Sequence, residues 1–294
     1  MRYTLENDLL KAEFDTFGGE LKSVIEKETG HNYIWSGDPA FWGRTSPVLF
    51  PFVGSCNNNS FTFEGVKYDI KSHGFARDME HTLVSQTQDE IWFSLKDNEE
   101  TKKVYPFAFE LNCGYKLMGD TIKVMWKVTN PGQDRADEKL YFSIGAHPAF
   151  ACPLKGEENK AGYKLFLENL DEVKHHGNLT GTCTHEDLTL PLEDNRAIIT
   201  PEFFDRTTYI IEGNQTGCVG LETPEGDRFI TVKFDTPLFA IWSPEKKNAP
   251  FICIEPWYGR ADYDDYSGDL TEREYGNAIK KNEVFEKSYD IQFT

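Results

Sequence analysis

Four stretches of this sequence set an ionisable side chain against apolar, strand-like residues: FWGRTSPVLFPFVG with Arg44, KSHGFARDM with His73 and Arg77, FSIGAHPAF with His147, and FICIEPWYG with Glu255. In each, the charge falls where a strand meets a turn, a position from which a β-rich protein presents polar groups without breaking its core. Glu255 raises the sharpest question. A carboxylate buried without partners costs several kcal/mol, so an acid closing so apolar a run is paired, set near solvent at a strand end, or used for chemistry. The reading adopted is that Glu255 is a base at the end of a buried strand. Joined to an imidazole such as His147 it makes an acid–base couple, and one positioned acid or base contributes roughly 10² to 10⁴ in rate. Taken singly, each residue has a plainer account: a satisfied structural histidine at His73 or His147, a strand-pairing arginine at Arg44, a partner for Asp78 or Glu80 at Arg77. Their joint occurrence favours a site.

The elements that must hold these groups are strands. In TIKVMWKVTNPG, Ile122, Val124, Trp126 and Val128 share one face and Lys123, Met125 and Lys127 the other, with Asn130-Pro131-Gly132 closing the strand. SFTFEGVKYDI predicts a hairpin turning at Glu64-Gly65, DRFITVKFD alternates about Ile230, Val232 and Phe234, and SYDIQFT carries Tyr289, Ile291 and Phe293 on one face. Helical character is confined to single turns at SPVLFP and LTEREYG. The pattern predicts an all-β fold, a large antiparallel sandwich or barrel in one domain spanning 1–294. Residues 152–162 and 259–276 read as long loops.

Composition narrows the function. A net charge of -18 and a pI near 4.8 exclude nucleic acid as partner, since phosphate binding needs a clustered basic surface. No apolar run reaches the roughly 18 residues that a membrane span needs, and the N-terminus carries acids where a secretory signal has its apolar core, which predicts a cytoplasmic protein. The six cysteines are widely spaced, the nearest pair being Cys152 and Cys183, so they read as reduced thiols rather than a zinc motif. No P-loop or G-x-G-x-x-G is present, and the expected chemistry needs no cofactor and no metal. Asp262, Asp264, Asp265 and Asp269 lack calcium-loop order, and His175, His176 and His185 read as an exposed polar loop. Trp42, Phe75, Trp242 and Trp257 are either core or a stacking surface for a sugar.

In order along residues 41–257, FWGRTSPVLFPFVG, SHGFARD, GAHPAF and FICIEPW resemble the aldose 1-epimerase (galactose mutarotase) family, closest to its LacX-like and hexose-6-phosphate epimerase branch. The opening LENDLLKAEFDTFGGELKSV is similar to that family's first strands. The resemblance implies a single-domain antiparallel β-supersandwich and interconversion of the α and β anomers of a hexose. It implies that Glu255 takes the proton of the C1 hydroxyl, His147 protonates the ring oxygen, His73 hydrogen-bonds the ring oxygen or a neighbouring hydroxyl, and Arg44 and Arg77 line the pocket. The partner so implied is a small-molecule sugar, free or phosphorylated, and the chain is a monomer or homodimer.

Two departures from the family pattern shape the expectation. Classical galactose mutarotases have an arginine after the glycine that is Gly54 here, whereas this chain has Ser55, so Arg44 is expected to take that role. The family's sugar-binding aspartate falls in the region of PEFFDRTTYII, where Asp205 is the candidate and Thr207 the alternative. Arg44 and Arg77 also resemble the phosphate-contacting arginines of the hexose-6-phosphate branch. A non-catalytic sugar-binding protein on the same scaffold is the competing reading. A glycoside hydrolase would need paired carboxylates, and the motifs offer one.

Overall fold

Alternation in sequence becomes alternation of burial. Along Thr121–Thr129, Ile122, Val124, Trp126 and Val128 are buried and the residues between them half-buried. The computed structural model describes residues 1–136, 138–154, 159–177 and 181–294. Among these, two large sheets carry the fold and share one hydrophobic core.

The nine-stranded sheet runs, edge to edge, Arg196–Ile198, Lys164–Leu167, Cys218–Glu222, Arg228–Phe234, Val284–Phe293, Thr121–Thr129, Glu110–Met118, Glu90–Lys96 and Thr82–Gln86. The eight-stranded sheet orders Asp187–Pro191, Glu172–His176, Tyr209–Glu212, Leu238–Trp242, Phe251–Tyr258, Ile144–Ala146 and Val48–Leu49, with Ala149–Ala151 also pairing Phe251–Tyr258. The ladders of both sheets are antiparallel, which makes this the antiparallel β-supersandwich that the sequence implies. Arg2–Glu6, Leu10–Asp15 and Glu20–Glu26 form a smaller three-stranded sheet. No helix among the described residues is long and apolar enough to cross a membrane.

The predicted hairpin forms between Ser60–Phe63 and Val66–Asp69. Its two turn residues, Glu64 (φ 50°) and Gly65 (φ 77°), are both left-handed, as a two-residue hairpin turn requires. Of the two expected helical turns, one forms and one does not. SPVLFP supplies a strand, Val48–Leu49, and not a helical turn, because its apolar residues extend the sheet beside Ile144–Ala146. LTEREYG does contain one turn, Leu270–Glu272, capped by Asp269. A short helix at Glu99–Val104 is new: Asn98 and Thr101 form a reciprocal capping box, but six residues are too few for a periodic signal. Of the loop expected at 152–162, residues 155–158 lie outside the described residues.

The eight-stranded sheet has one face in the shared core, through Ile252, Ile254 and Phe239, and turns Cys253, Glu255 and Trp257 to the other. Against that second face lies the segment 72–78, held by a parallel bridge between Phe50 and Gly74. Gly74 has φ 69°, and a Cβ there would stand 2.3 Å from the Phe50 carbonyl oxygen. Gly74→Ala combines backbone strain with a clash against backbone that cannot yield, and is expected to cost about 2 kcal/mol or more. Urea denaturation of the variant beside the wild type measures this, and an unchanged midpoint would refute it.

Candidate active site

The strand Phe251–Tyr258 explains why an acid can stand among apolar residues. All eight of its residues are buried, and Glu255 is 1% exposed at mid-strand, so it does not end the strand as the sequence reading supposed. On one side Glu255 pairs with Ala240 of Leu238–Trp242. On the other side the neighbour is broken: Ala149 pairs with Cys253 and Gly145 with Trp257, while His147 and Pro148 between them leave the ladder. Pro256, which has no N–H for a ladder, is tolerated opposite this interruption.

His147 is fixed by its backbone. Its N–H donates to Pro47 O at 3.1 Å, and the Ala149 N–H donates to Thr45 O at 2.9 Å. The segment so gripped is itself tied down by the buried carboxylate of Glu20, whose Oε1 accepts from Thr45 N (2.8 Å), Thr45 Oγ1 (2.7 Å) and Ser46 N (2.8 Å). The His147 ring stacks on Trp42 at 4.6 Å between centroids and meets Trp242 edge-on at 5.2 Å.

These constraints bring His147 Nε2 to 3.4 Å from Glu255 Oε2. That is contact, but it lacks hydrogen-bond geometry, and Oε2 has no hydrogen-bond partner among the described residues. Burial pushes the Glu255 carboxyl well above the ordinary carboxylate range, against the opposing pull of the Trp257 indole N–H and the Arg77 charge. Burial first, and then Arg77, pushes the His147 imidazole down to about 3. Both groups are therefore driven toward their neutral forms by the same low-dielectric surroundings. Among the described residues His147 Nδ1 meets no hydrogen-bond partner beyond its own backbone, and Nε2 is the ring nitrogen that faces Glu255.

His73 has φ 64° and exchanges two hydrogen bonds with Gly54: its N–H donates to Gly54 O at 2.8 Å, and its Nδ1 accepts from Gly54 N at 3.1 Å. The second bond fixes the tautomer with the proton on Nε2. Burial, then Arg77 and His147, hold its pKa well below normal, so His73 is a neutral donor. Arg77 donates from Nη2 to Ser72 O at 2.8 Å, while its Nε is buried without a partner among the described residues. Its pKa is lowered to about 10, by burial first and Arg44 second, which leaves it charged at neutral pH.

A cavity of about 440 Å³ joins these groups, lined by His73, Arg77, His147 and Glu255 with Trp42 and Trp242 as apolar walls. Two predicted residues stand elsewhere. Arg44 lies behind Arg77, pairing with Asp78 at 2.7 Å, and is not part of the lining. Asp205 faces away, accepting from Lys246 N at 2.8 Å, because the turns at 200–206 rotate it off the cavity; Phe204, Thr207 and Thr208 of that segment line it instead. Of the aromatics, Trp257 lines the cavity and Phe75 packs with Tyr105 and Phe109 in the core. Ser72, Ser243, Glu245 and Lys247 were not foreseen, although SPEKK directly after the strand Leu238–Trp242 marks a polar turn at a strand end. The acidic loop does not converge on one point: Asp262 binds Arg273 at 2.6 Å and Asp269 caps a turn, while Asp264 and Asp265 approach His185 at the surface. His175 is buried against Tyr209.

The family model for aldose 1-epimerase matches residues 1–274. The plasmid-encoded LacX protein of Lactococcus lactis is 30% identical over 300 residues, which covers 99% of both chains. A crystal structure of a galactose mutarotase related enzyme from Lactobacillus acidophilus superposes with a TM-score of 0.92 at 33% identity, covering 100% of this chain and 97% of the other. A galactose mutarotase-like protein from Lactobacillus casei gives 0.92 at 28% identity with full coverage of both.

Because the folded-state pKa of Glu255 is raised, its stabilising neutral form is fully present below its ordinary value of 4.5, and that contribution is lost as pH rises through the folded value. Glu255→Gln keeps the shape without the charge. It is expected to melt at a higher temperature than the wild type at pH 7.5, with the advantage shrinking toward pH 4.5. Calorimetry at the two pH values tests this, and an equal or lower Tm for the variant at pH 7.5 would contradict it.

Proposed function

This chain belongs to the aldose 1-epimerase family, and from that premise we propose that it interconverts the α and β anomers of a hexose by acid–base opening and closure of the sugar ring. The observation that carries this reading is the pair of buried proton-transfer atoms, Glu255 Oε2 and His147 Nε2, held 3.4 Å apart in the wall of a cavity large enough for a sugar.

In the proposed cycle the sugar's hydroxyls hydrogen-bond Glu255 and draw the proton of the neutral pair across from Glu255 Oε2 to His147 Nε2, 3.4 Å away, so that the closed pyranose meets a charge-separated pair. The Glu255 carboxylate takes the C1 hydroxyl proton, the imidazolium of His147 gives its proton to the ring oxygen, and the C1–O5 bond breaks. The pair is now neutral, the form that burial favours, and the bound sugar is an open aldehyde. Rotation about C1–C2 exposes the other carbonyl face. His147 then recovers its proton from the C5 hydroxyl as the ring closes, and Glu255 returns its own to O1. No proton is gained or lost overall. His73, a neutral donor at Nε2, suits a hydrogen bond to the ring oxygen or a neighbouring hydroxyl, and Trp42 and Trp242 suit the apolar face of a sugar ring.

A hexose 6-phosphate is the second reading. It is favoured by Arg77, a charged guanidinium whose Nε is buried and unpartnered among the described residues, with Arg44 behind it and Lys247 also in the cavity wall. An Escherichia coli relative provisionally assigned as a glucose-6-phosphate 1-epimerase is 24% identical over 195 residues, 63% of this chain and 60% of that one.

Anomer exchange followed by NMR with glucose, galactose and glucose 6-phosphate tests both readings. Wild type is expected to accelerate at least one sugar over the spontaneous rate, and Glu255→Gln to lose about 100-fold or more of that acceleration while still binding the sugar. The fastest substrate separates free from phosphorylated hexose. Binding without acceleration of any of the three would leave a sugar-binding protein.

A further inference from the structure

The proposed acid and base have a third neighbour that the proposed reaction does not use. Cys253 precedes Glu255 by two residues on the same face of the strand, and its free thiol is fully buried. One ligand atom from each of Cys253, Glu255 and His147 lies within 4.8 Å of the other two. We propose that this triad is a binding site for a borderline-soft divalent cation, zinc above all, and that zinc bound there stops the proposed ring-opening reaction.

The donor set is one that zinc prefers: a thiolate, an imidazole nitrogen and a carboxylate oxygen, with a fourth position left to the solvent in the cavity. Glu255 Oε2 supplies the independent sign of a ligand, since it is buried, faces His147 Nε2 at 3.4 Å and is without a hydrogen-bond partner among the described residues. Charge favours the ion as well. A thiolate, a carboxylate and a neutral imidazole sum to two negative charges, so a dication neutralises the group and removes the burial penalty from both anions. As the zinc–sulfur bond forms, the thiol proton leaves to the buffer, and the carboxyl proton follows it where present. The field of Arg77 opposes a cation here, and among the described residues His147 Nδ1 has no carboxylate or neighbouring carbonyl behind it to strengthen the imidazole as a ligand. The site is therefore a reversible inhibitory one and not a structural zinc. Inhibition follows from identity: the oxygen and the imidazole that bind the ion are the groups that must move protons.

The inhibitory half of the proposal rests on the proposed reaction, whereas the binding half does not. Metal-stripped full-length protein is titrated with Co²⁺ and observed by absorption. The expected result is a near-ultraviolet thiolate-to-cobalt charge-transfer band with intense visible bands, both bleached by Zn²⁺. In Cys253→Ser, with its fold checked by circular dichroism, the charge-transfer band is absent and zinc affinity, measured against a chromophoric chelator, falls about tenfold or more. Metal-free anomer exchange in that variant is unchanged and its sensitivity to zinc falls. Absence of the charge-transfer band in the wild type would overturn the site without need of any variant. Equal zinc affinity in wild type and variant would overturn it too, by moving the ion to exposed groups such as His185, Asp264 and Asp265. Anomer exchange undiminished in protein whose triad is loaded with zinc would overturn the inhibitory half alone.

Discussion

Keeping a carboxyl group out of water in the middle of a sheet is the constraint around which the rest of this molecule is arranged. Glu255 is 1% exposed, and one of its oxygens meets no hydrogen-bond partner among the described residues, a condition that costs on the order of 1–3 kcal/mol or more. A large β core can carry such a cost because its apolar burial is extensive. Relief comes only partly from charge, through Arg77. The remainder is latent in the site as readiness to take a proton or a ligand.

The neighbouring strand makes room for this. By leaving the ladder at His147-Pro148, it replaces what would be one continuous strand with two short ones, Ile144–Ala146 and Ala149–Ala151, and drops an imidazole into the gap. The position of that imidazole is then set from a distance. Glu20, in the three-stranded sheet, holds Thr45 and Ser46, and the carbonyls of Thr45 and Pro47 hold Ala149 and His147. The electrostatic setting is equally indirect: a chain of net charge -18 places arginines at and behind the cavity wall, so an anionic ligand would be drawn by short-range contacts against an unfavourable long-range field.

Much of this was legible in sequence where local rules govern. The two-residue turn at Glu64-Gly65 and the alternation over Thr121–Thr129 follow from backbone and side-chain geometry alone. The grouping of His73, Arg77, His147 and Glu255 was also legible, through the four apolar stretches that carry them. What was not legible depended on partners remote in the chain. Glu255 was expected at an end because an unpartnered carboxylate is costly in mid-strand, and that the strand continues through Pro256 depends on a neighbour interrupted far away in the chain. Asp205 and Thr207 stand two residues apart in a run of turns without alternation, so no periodicity says which faces the cavity. Arg44 was given a place in the wall by the family resemblance, and no local rule reveals that Asp78, in another segment, pairs with it instead.

The broken ladder also bears on how the proposed site comes to be assembled. Hairpins such as Glu110–Met118 with Thr121–Thr129 join strands adjacent in sequence, whereas the strand carrying Glu255 pairs with the two strands that flank His147 across a long intervening chain, a closure of larger entropic cost. No hairpin of strands adjacent in sequence contains both His147 and Glu255. The site proposed here therefore depends on the whole sheet, since both strands flanking His147 must pair with the strand of Glu255 for the two groups to stand in register.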